Sequence, residues 1–301
     1  LCRWTISTST TSTILKRNNK RIEEIKQTTL SRTINDIYIM TENKHKQQVV
    51  ISMTSFPAAI PFAEDAVRSL LNGSVLPDKL ILYVTLSQFA EGEMPEGLLA
   101  LAKENPVFEI RNYDRDIRSY RKLIPALADF PEAIIVTVDD DVYYHRNMLK
   151  DLLDLHAQIP DAILAHRAKR IKYGMPYKKW SKYRWYHFLF KRIYRRFDNI
   201  QTGVGGVLYP PHSLRADMMD VELFTKLAPS TDDIWFWAAG AANGFPVVPV
   251  PFGHNKPRGL HKPKELSLKT SNFKAGVDRN VKAFNAICEH YPEIKRLVEK
   301  Q

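Results

Sequence analysis

Residues 134–144 read IIVTVDDDVYY, a β-branched apolar run that stops at three consecutive aspartates, Asp139, Asp140 and Asp141. An unpaired carboxylate is costly beside a hydrophobic strand, and three adjacent ones repel each other. A divalent cation is the simplest group that relieves the repulsion. Hydrophobicity that is continuous rather than alternating over 134–138 predicts a strand buried on both faces, as in a parallel α/β sheet. Ligands of open α/β sheets sit at the carboxyl ends of strands, which is where these acids fall. The competing reading is a solvated acidic turn ahead of a helix beginning near His145.

The chain on either side of this run alternates in the same way. VVISMT (49–54) predicts a strand that ends in Ser55-Phe56-Pro57, and Pro61 opens a helix that stops at Asn72-Gly73. Further strands are expected at 79–86, 107–112 and 133–138, separated by helices at 96–103 and 119–128. Four strand–helix alternations argue for a doubly wound, mostly parallel sheet flanked by helices. Beyond it, 146–156, 232–242 and 278–290 read as helices, and 162–165 and 247–250 as strands. TGVGGVLYPP (202–211) holds three glycines where the backbone must come close to something. Residues 1–48 are polar and rich in Ser and Thr near their start, which predicts a poorly ordered extension.

With 301 residues, 44% of them hydrophobic, the chain has ample core for one large domain. Cys2 and Cys288 lie at opposite ends and show no disulfide spacing, which favours a reducing, cytosolic setting. No apolar run approaches the roughly 20 residues of a membrane-spanning helix, and no signal-peptide stretch is visible. The chain opens on Leu1, so that last absence carries little weight. The net charge is +11 and the pI about 9.5. Eleven Lys or Arg and no acid fall between Lys169 and Arg196, a local excess as large as that of the whole protein. Anionic partners are expected.

Several segments, taken together in their order and spacing, resemble the GT-A-type glycosyltransferases, with the closest likeness to bacterial family-2-like enzymes of cell-surface polysaccharide synthesis. They are SMTSFP (52–57), YRKLIPAL (120–127), TVDDDVYY (137–144), AHR (165–167), TGVGGVLYPP and APSTDDIWFW (228–237). The resemblance spans about 49–292. It implies a GT-A-like, Rossmann-type fold with a DxD motif at a strand end. Residues 49–144 would form the nucleotide-sugar half, 145–292 the acceptor half, and 293–301 a tail. It also implies Mn²⁺ or Mg²⁺ bridging the diphosphate of a nucleotide-sugar, most simply a UDP-sugar. Asp141 becomes the direct ligand, Asp139 joins it or faces the ribose or sugar, and Asp140 lies on the donor side with the least fixed role. His254 resembles a late histidine that completes such metal sites, with His261 a weaker match. Thr54, Ser55 and Phe56 fall where the family places base and ribose. Asp114 and Lys122 resemble an acid–lysine stretch that reaches the donor, against the reading of an exposed charged turn. Gly203, Gly205 and Gly206 either approach the donor sugar or pack strands tightly.

Asp232 and Asp233 precede the apolar run IWFWAAGAA. Structurally they read as helix caps, a role that Thr231 or Asp232 could fill. The resemblance makes one of them the base that deprotonates an acceptor hydroxyl for inverting attack, and Asp233 is the expected one. The stretch 172–197 interleaves Trp180, Trp185, Tyr186, Phe188 and Phe190 with Lys and Arg. It predicts an interfacial helix within 169–197, lying on an anionic membrane near a glycan or lipid-linked acceptor. The alternative is a solvated basic hairpin. This places the protein in the cytoplasm, peripheral at the inner face of the membrane. Two other classes share part of this pattern. A nucleic-acid binder would share the basic, aromatic footprint but leaves the buried strand ending in three acids without a purpose, so no nucleic-acid partner is expected. A metal-dependent phosphoryl-transfer enzyme or hydrolase would use strand-end acids but needs neither the second acid pair nor the glycines.

Overall fold

The computed structural model describes residues 47–90, 94–251, 258–260 and 278–299. The compact unit runs from Gln48 to Gln301. Its first half comprises β1 (Val49–Thr54), α1 (Ile60–Leu71), β2 (Lys79–Val84), α2 (Glu96–Glu104), β3 (Phe108–Asn112), α3 (Ile124–Asp129), β4 (Ile134–Thr137) and β5 (Val142–Tyr143). The second half adds α4 (Met148–His156), β6 (Ile163–Ala165), β7 (Ala168–Arg170), β8 (Ser181–Lys182), β9 (Asn199–Gln201), β10 (Val207–Tyr209), α5 (Val221–Leu227), α6 (Asp232–Ala242), β11 (Val247–Pro249), β12 (Arg258–Gly259), α7 (Arg279–His290) and α8 (Pro292–Glu299).

Seven strands make the central sheet in the order β11-β6-β10-β4-β1-β2-β3. All neighbouring pairs are parallel except those made by β10, which runs antiparallel to both β4 and β6. The strands are apolar throughout because both faces are covered. Val50, Ile81 and Ile135 face a core built with Trp235, Trp237, Phe284 and Ile294. Their neighbours Ile51, Leu80 and Val136 face α1, α2 and α4 through Val67, Leu98 and Leu152. The chain moves outward from β1 through β2 to β3 and then returns to place β4 on the other side of β1. The reversal leaves a crevice beyond the carboxyl ends of β1 and β4. The mixed, mostly parallel sheet with helices on both faces matches the class expected from the sequence.

Three elements differ from expectation. The helix expected at 119–128 is broken into a 3₁₀ turn, Arg118–Lys122, and α3. Pro125 sits in the first turn of α3, where it is tolerated, but its ring would clash with the carbonyl one turn back in a continuous helix. The stretch read as a tail forms α8, which buries Ile294 and Val298. The basic segment is not an interfacial helix. It folds around a second, three-stranded antiparallel sheet, β8-β7-β9, with 3₁₀ turns at Tyr177–Lys179 and Trp185–Lys191. Trp180 and Phe188 are buried in it, whereas Trp185 is 69% exposed and Tyr186, Leu189 and Ile193 are exposed beside it. No helix among the described residues is long and apolar enough to cross a membrane.

Candidate functional site

A cleft of about 1110 Å³ opens at the crevice between β1 and β4, and residues from distant parts of the sequence line it. Thr54 closes β1, and Ser55 and Phe56 follow it. Asp139, Asp140 and Asp141 follow β4, Lys122 comes from the 3₁₀ turn before α3, and Asp232 and Asp233 open α6. The two acidic groups of the sequence therefore share one wall.

Each aspartate of the trio is held differently. Asp140, 8% exposed, accepts a 2.5 Å hydrogen bond from the Ser55 hydroxyl. That bond ties the end of β4 to the end of β1. The Asp139 amide donates to the Tyr144 hydroxyl at 2.7 Å, and its carboxylate meets the Lys122 ammonium at 3.2 Å. Asp141 faces the cleft, and its carbonyl accepts from the Leu260 amide at 2.8 Å.

Lys122 is the centre of the charge arrangement. It is only 6% exposed, and its ammonium lies 3.0 Å from Asp232 Oδ2 as well as beside Asp139. Burial alone would lower its pKa, but Asp139, Asp232 and Asp233 outweigh burial and hold it well above the ordinary lysine value. The chain makes room for it at Gly203, where a Cβ would lie 2.7 Å from Lys122 Nζ and 2.9 Å from Asp139 Oδ1. Asp232 also accepts from the Ser119 hydroxyl at 2.8 Å. Neither Thr231 nor Asp232 therefore caps α6: the Thr231 side chain makes no capping bond, and Asp232 is turned to Ser119 and Lys122.

Asp233 accepts from the Gly203 amide at 3.1 Å on each oxygen. Burial, then repulsion from Asp232, pushes its carboxyl up to about 7, with Lys122 pulling the other way. A carboxylate that exchanges its proton near neutrality on a cleft wall is suited to general-base work.

Other expected residues are placed elsewhere. Gly205 and Gly206 do not line the cleft; they adopt φ of 104° and 100°, and a Cβ on Gly206 would meet Met148 Sδ at 2.8 Å. Their role is the left-handed turn and close packing that admit β10, because only glycine takes such φ without strain. Asp114 is exposed and accepts from Asn112 at 2.5 Å, while Asp116, two residues on, is the one on the cleft wall. His254 and His261 lie outside the described residues.

Arg121 was not singled out by sequence reasoning. It is buried and donates to Thr54 Oγ1 at 2.7 Å, to the Ser55 carbonyl at 2.6 Å and to Thr85 Oγ1. It thereby fixes the turn that carries the first cleft residues. Its neighbour Arg118 takes φ of 53°, supported by a 3.0 Å bond from its amide to Asp116. Left-handed backbone in a non-glycine residue is a strain that tends to cluster at functional sites.

Among the described residues, no three His, Cys, Asp or Glu side chains come together as a ready metal cage. A hard cation that serves phosphates does not need one, since one or two carboxylates suffice with phosphate and water completing the shell. Asp141 and Asp139 on the wall, with Lys122 engaging Asp139 Oδ1, fit that open donor set.

Solved structures similar to this chain include two glycosyl-transferring enzymes. One is the mannosyltransferase PcManGT from Pyrobaculum calidifontis in complex with GDP-Man and Mn²⁺, with 13% identity and a TM-score of 0.45 over 84% of this chain and 76% of that one. The other is glucosyl-3-phosphoglycerate synthase from Mycobacterium tuberculosis with Mn²⁺, UDP and glucosyl-3-phosphoglycerate, with 14% identity and a TM-score of 0.32 over 40% of this chain and 44% of that one. No protein-family model and no curated protein sequence matches the chain.

Proposed function

We propose that the protein is a metal-dependent, inverting glycosyltransferase that moves a sugar from a nucleotide-sugar, a UDP-sugar in the simplest case, to a glycan or lipid-linked acceptor. The observation that carries the reading is the single cleft wall on which the strand-end acids and the α6 acids meet across Lys122. A transferase of this kind needs a site for an activated diphosphate and, next to it, a base for the incoming hydroxyl.

Asp141 and Asp139 would hold the divalent ion. When bound, the ion neutralises the charge that develops on the departing nucleoside diphosphate. Thr54, Ser55 and Phe56 receive the nucleoside end, on a turn that Arg121 and Asp140 hold rigid. Asp233 takes the proton of the acceptor hydroxyl as that oxygen bonds to the anomeric carbon and the carbon–diphosphate bond breaks. A single displacement of this form inverts the anomeric centre. The Gly203 amide, shared between both oxygens, orients the Asp233 carboxylate, and its elevated pKa lets it both take and release a proton near neutrality. The exposed Trp185, Tyr186, Leu189 and Ile193 within the basic segment support contact with an anionic membrane surface, the place where lipid-linked acceptors of surface polysaccharide synthesis reside.

Titration of the protein with nucleotide-sugars, with and without Mn²⁺, tests the reading. Metal-dependent binding that disappears in Asp141→Ala is the expected result. A full panel of nucleotide-sugars that neither binds nor shifts the melting temperature, or binding indifferent to both metal and Asp141, would overturn it.

A further inference from the structure

The wall of the cleft that adjoins Asp233 is strongly basic. Arg167, Lys169, Lys178 and Lys182 all line the cleft. The Arg167 carbonyl accepts from the Thr202 amide at 2.9 Å, next to Gly203, whose own amide holds Asp233. One strand further out, Lys169 on β7 stands directly opposite Lys182 on β8. Like charges placed opposite each other across an antiparallel pair are destabilising. Lys169 is buried, with its ammonium 3.3 Å from the centre of the Tyr177 ring and 3.2 Å from the Tyr177 carbonyl. Arg167, Lys178 and Lys182 are exposed to the cleft. Three cations of the same segment pair with acids: Arg170 and Arg196 with Asp198, and Arg195 with Asp161.

The donor's diphosphate does not account for this wall. In the reading above, the nucleotide end lies with Thr54, Ser55 and Phe56, and the diphosphate with the acids that follow β4. The basic residues instead share the cleft with the proposed base, and Arg167 pairs with Thr202 next to the glycine that holds it, on the side where the hydroxyl to be glycosylated must arrive. From this placement we infer that the acceptor carries a phosphate or diphosphate close to its reacting hydroxyl, and that Arg167, Lys178 and Lys182 bind it. The inference rests on the glycosyltransferase reading for the identity of the ligand as an acceptor. The anion site itself is a separate, measurable property.

The test is calorimetric titration of the full chain with inorganic pyrophosphate, without divalent metal so that the strand-end carboxylates repel the probe. The wild type should bind it, Lys178→Ala/Lys182→Ala should bind it about tenfold or more weakly, and Lys178→Arg/Lys182→Arg should retain it. Lys150→Ala, an exposed change on α4 outside the cleft, serves as the control and should leave affinity unchanged. Displacement of the bound pyrophosphate by glucose 1-phosphate supports a free sugar phosphate as acceptor; displacement by phosphatidic acid vesicles supports a lipid-borne phosphate. Equal affinity in the wild type and the double alanine variant, or displacement by neither competitor, overturns the inference. Loss of metal-dependent nucleotide-sugar binding would instead remove the glycosyltransferase reading, and the two failures are read in separate titrations.

Discussion

Replacing Lys122 with methionine keeps the length of the side chain and removes the charge that three acids share. Asp232 is the partner that suffers most, because its side chain is 8% exposed and its Oδ2 loses the ion pair at 3.0 Å. Breaking a buried pair while leaving the other charge in place costs about 3–5 kcal/mol. Loss of the Asp139 contact adds less than about 1 kcal/mol, since that side chain is 24% exposed and partly screened. For a domain of this size each kcal/mol moves the unfolding midpoint by about 2–4 °C, so the variant should melt roughly 10 °C lower at neutral pH. The pH dependence supplies a sharper check. Lys122 is the group that pulls the Asp233 pKa down against burial and Asp232, so its removal raises that folded-state pKa further above the unfolded value near 4. A carboxyl raised in this way is protonated in the folded protein and ionised in the unfolded chain. Its stabilising contribution is complete below the unfolded pKa and is lost as pH rises through the folded one. The gap between wild type and variant must therefore narrow as pH falls from 7 towards about 4. Thermal unfolding followed by circular dichroism over that range measures it, and Lys122→Met/Asp232→Asn should recover part of the loss. An unchanged midpoint, or a gap that ignores both pH and the second substitution, would refute the account of Lys122 as the shared counter-charge.

Gly203→Ala introduces a Cβ 2.7 Å from Lys122 Nζ, and should destabilise by about 1–3 kcal/mol through forced separation of Lys122 from Asp139; a wild-type melting curve would show that the pair has room to move. Asp233→Asn should leave donor affinity intact and reduce turnover about 10²-fold or more, whereas a larger loss in Asp232→Asn would transfer the base assignment to that residue. Because burial and Asp232 raise the Asp233 carboxyl to about 7, kcat/KM should rise with pH and level off above neutrality, and a profile flat across neutrality would exclude Asp233 as the base.

The parts of the fold that were legible in the sequence are those whose cause is local. A strand buried on both faces must be apolar at every position, so β1, β2 and β4 announce themselves, and the acids at the end of β4 mark the edge of burial. The place of Asp233 at the start of α6 was also readable, since an acid pair ahead of an all-apolar helix is a local signal. Arg121 was not, because its partners are the Thr54 and Thr85 hydroxyls and the Ser55 carbonyl. Nothing in those neutral oxygens distinguishes them in sequence from any other turn. The choice of Asp116 over Asp114 depends on Asn112, whose amide engages Asp114 outside the cleft. The glycines divide for the same kind of reason. Gly203 is needed for what approaches it, while Gly205 and Gly206 are needed for the turn they make.

The basic segment shows why composition could not place its charges. Alternation of aromatics with Lys and Arg describes an amphipathic surface equally well for a helix lying on a membrane and for a strand pair packed on a domain. What decides between them is which aromatics find partners, and those partners are remote. Trp180 packs edge-on to Phe284 of α7, and Tyr183 donates to Asn199 of β9 at 2.6 Å. Once Trp180 and Phe188 are committed inward, the interfacial helix loses its apolar face, and the β7–β8 pairing sorts the cations. Arg170 and Arg196 turn to Asp198, while Lys169 and Lys182 turn to the cleft. Charges that read as a uniform patch in sequence thus divide in part between an edge paired with acids and a basic wall of the cleft. The local excess therefore belongs to the cleft as much as to the surface.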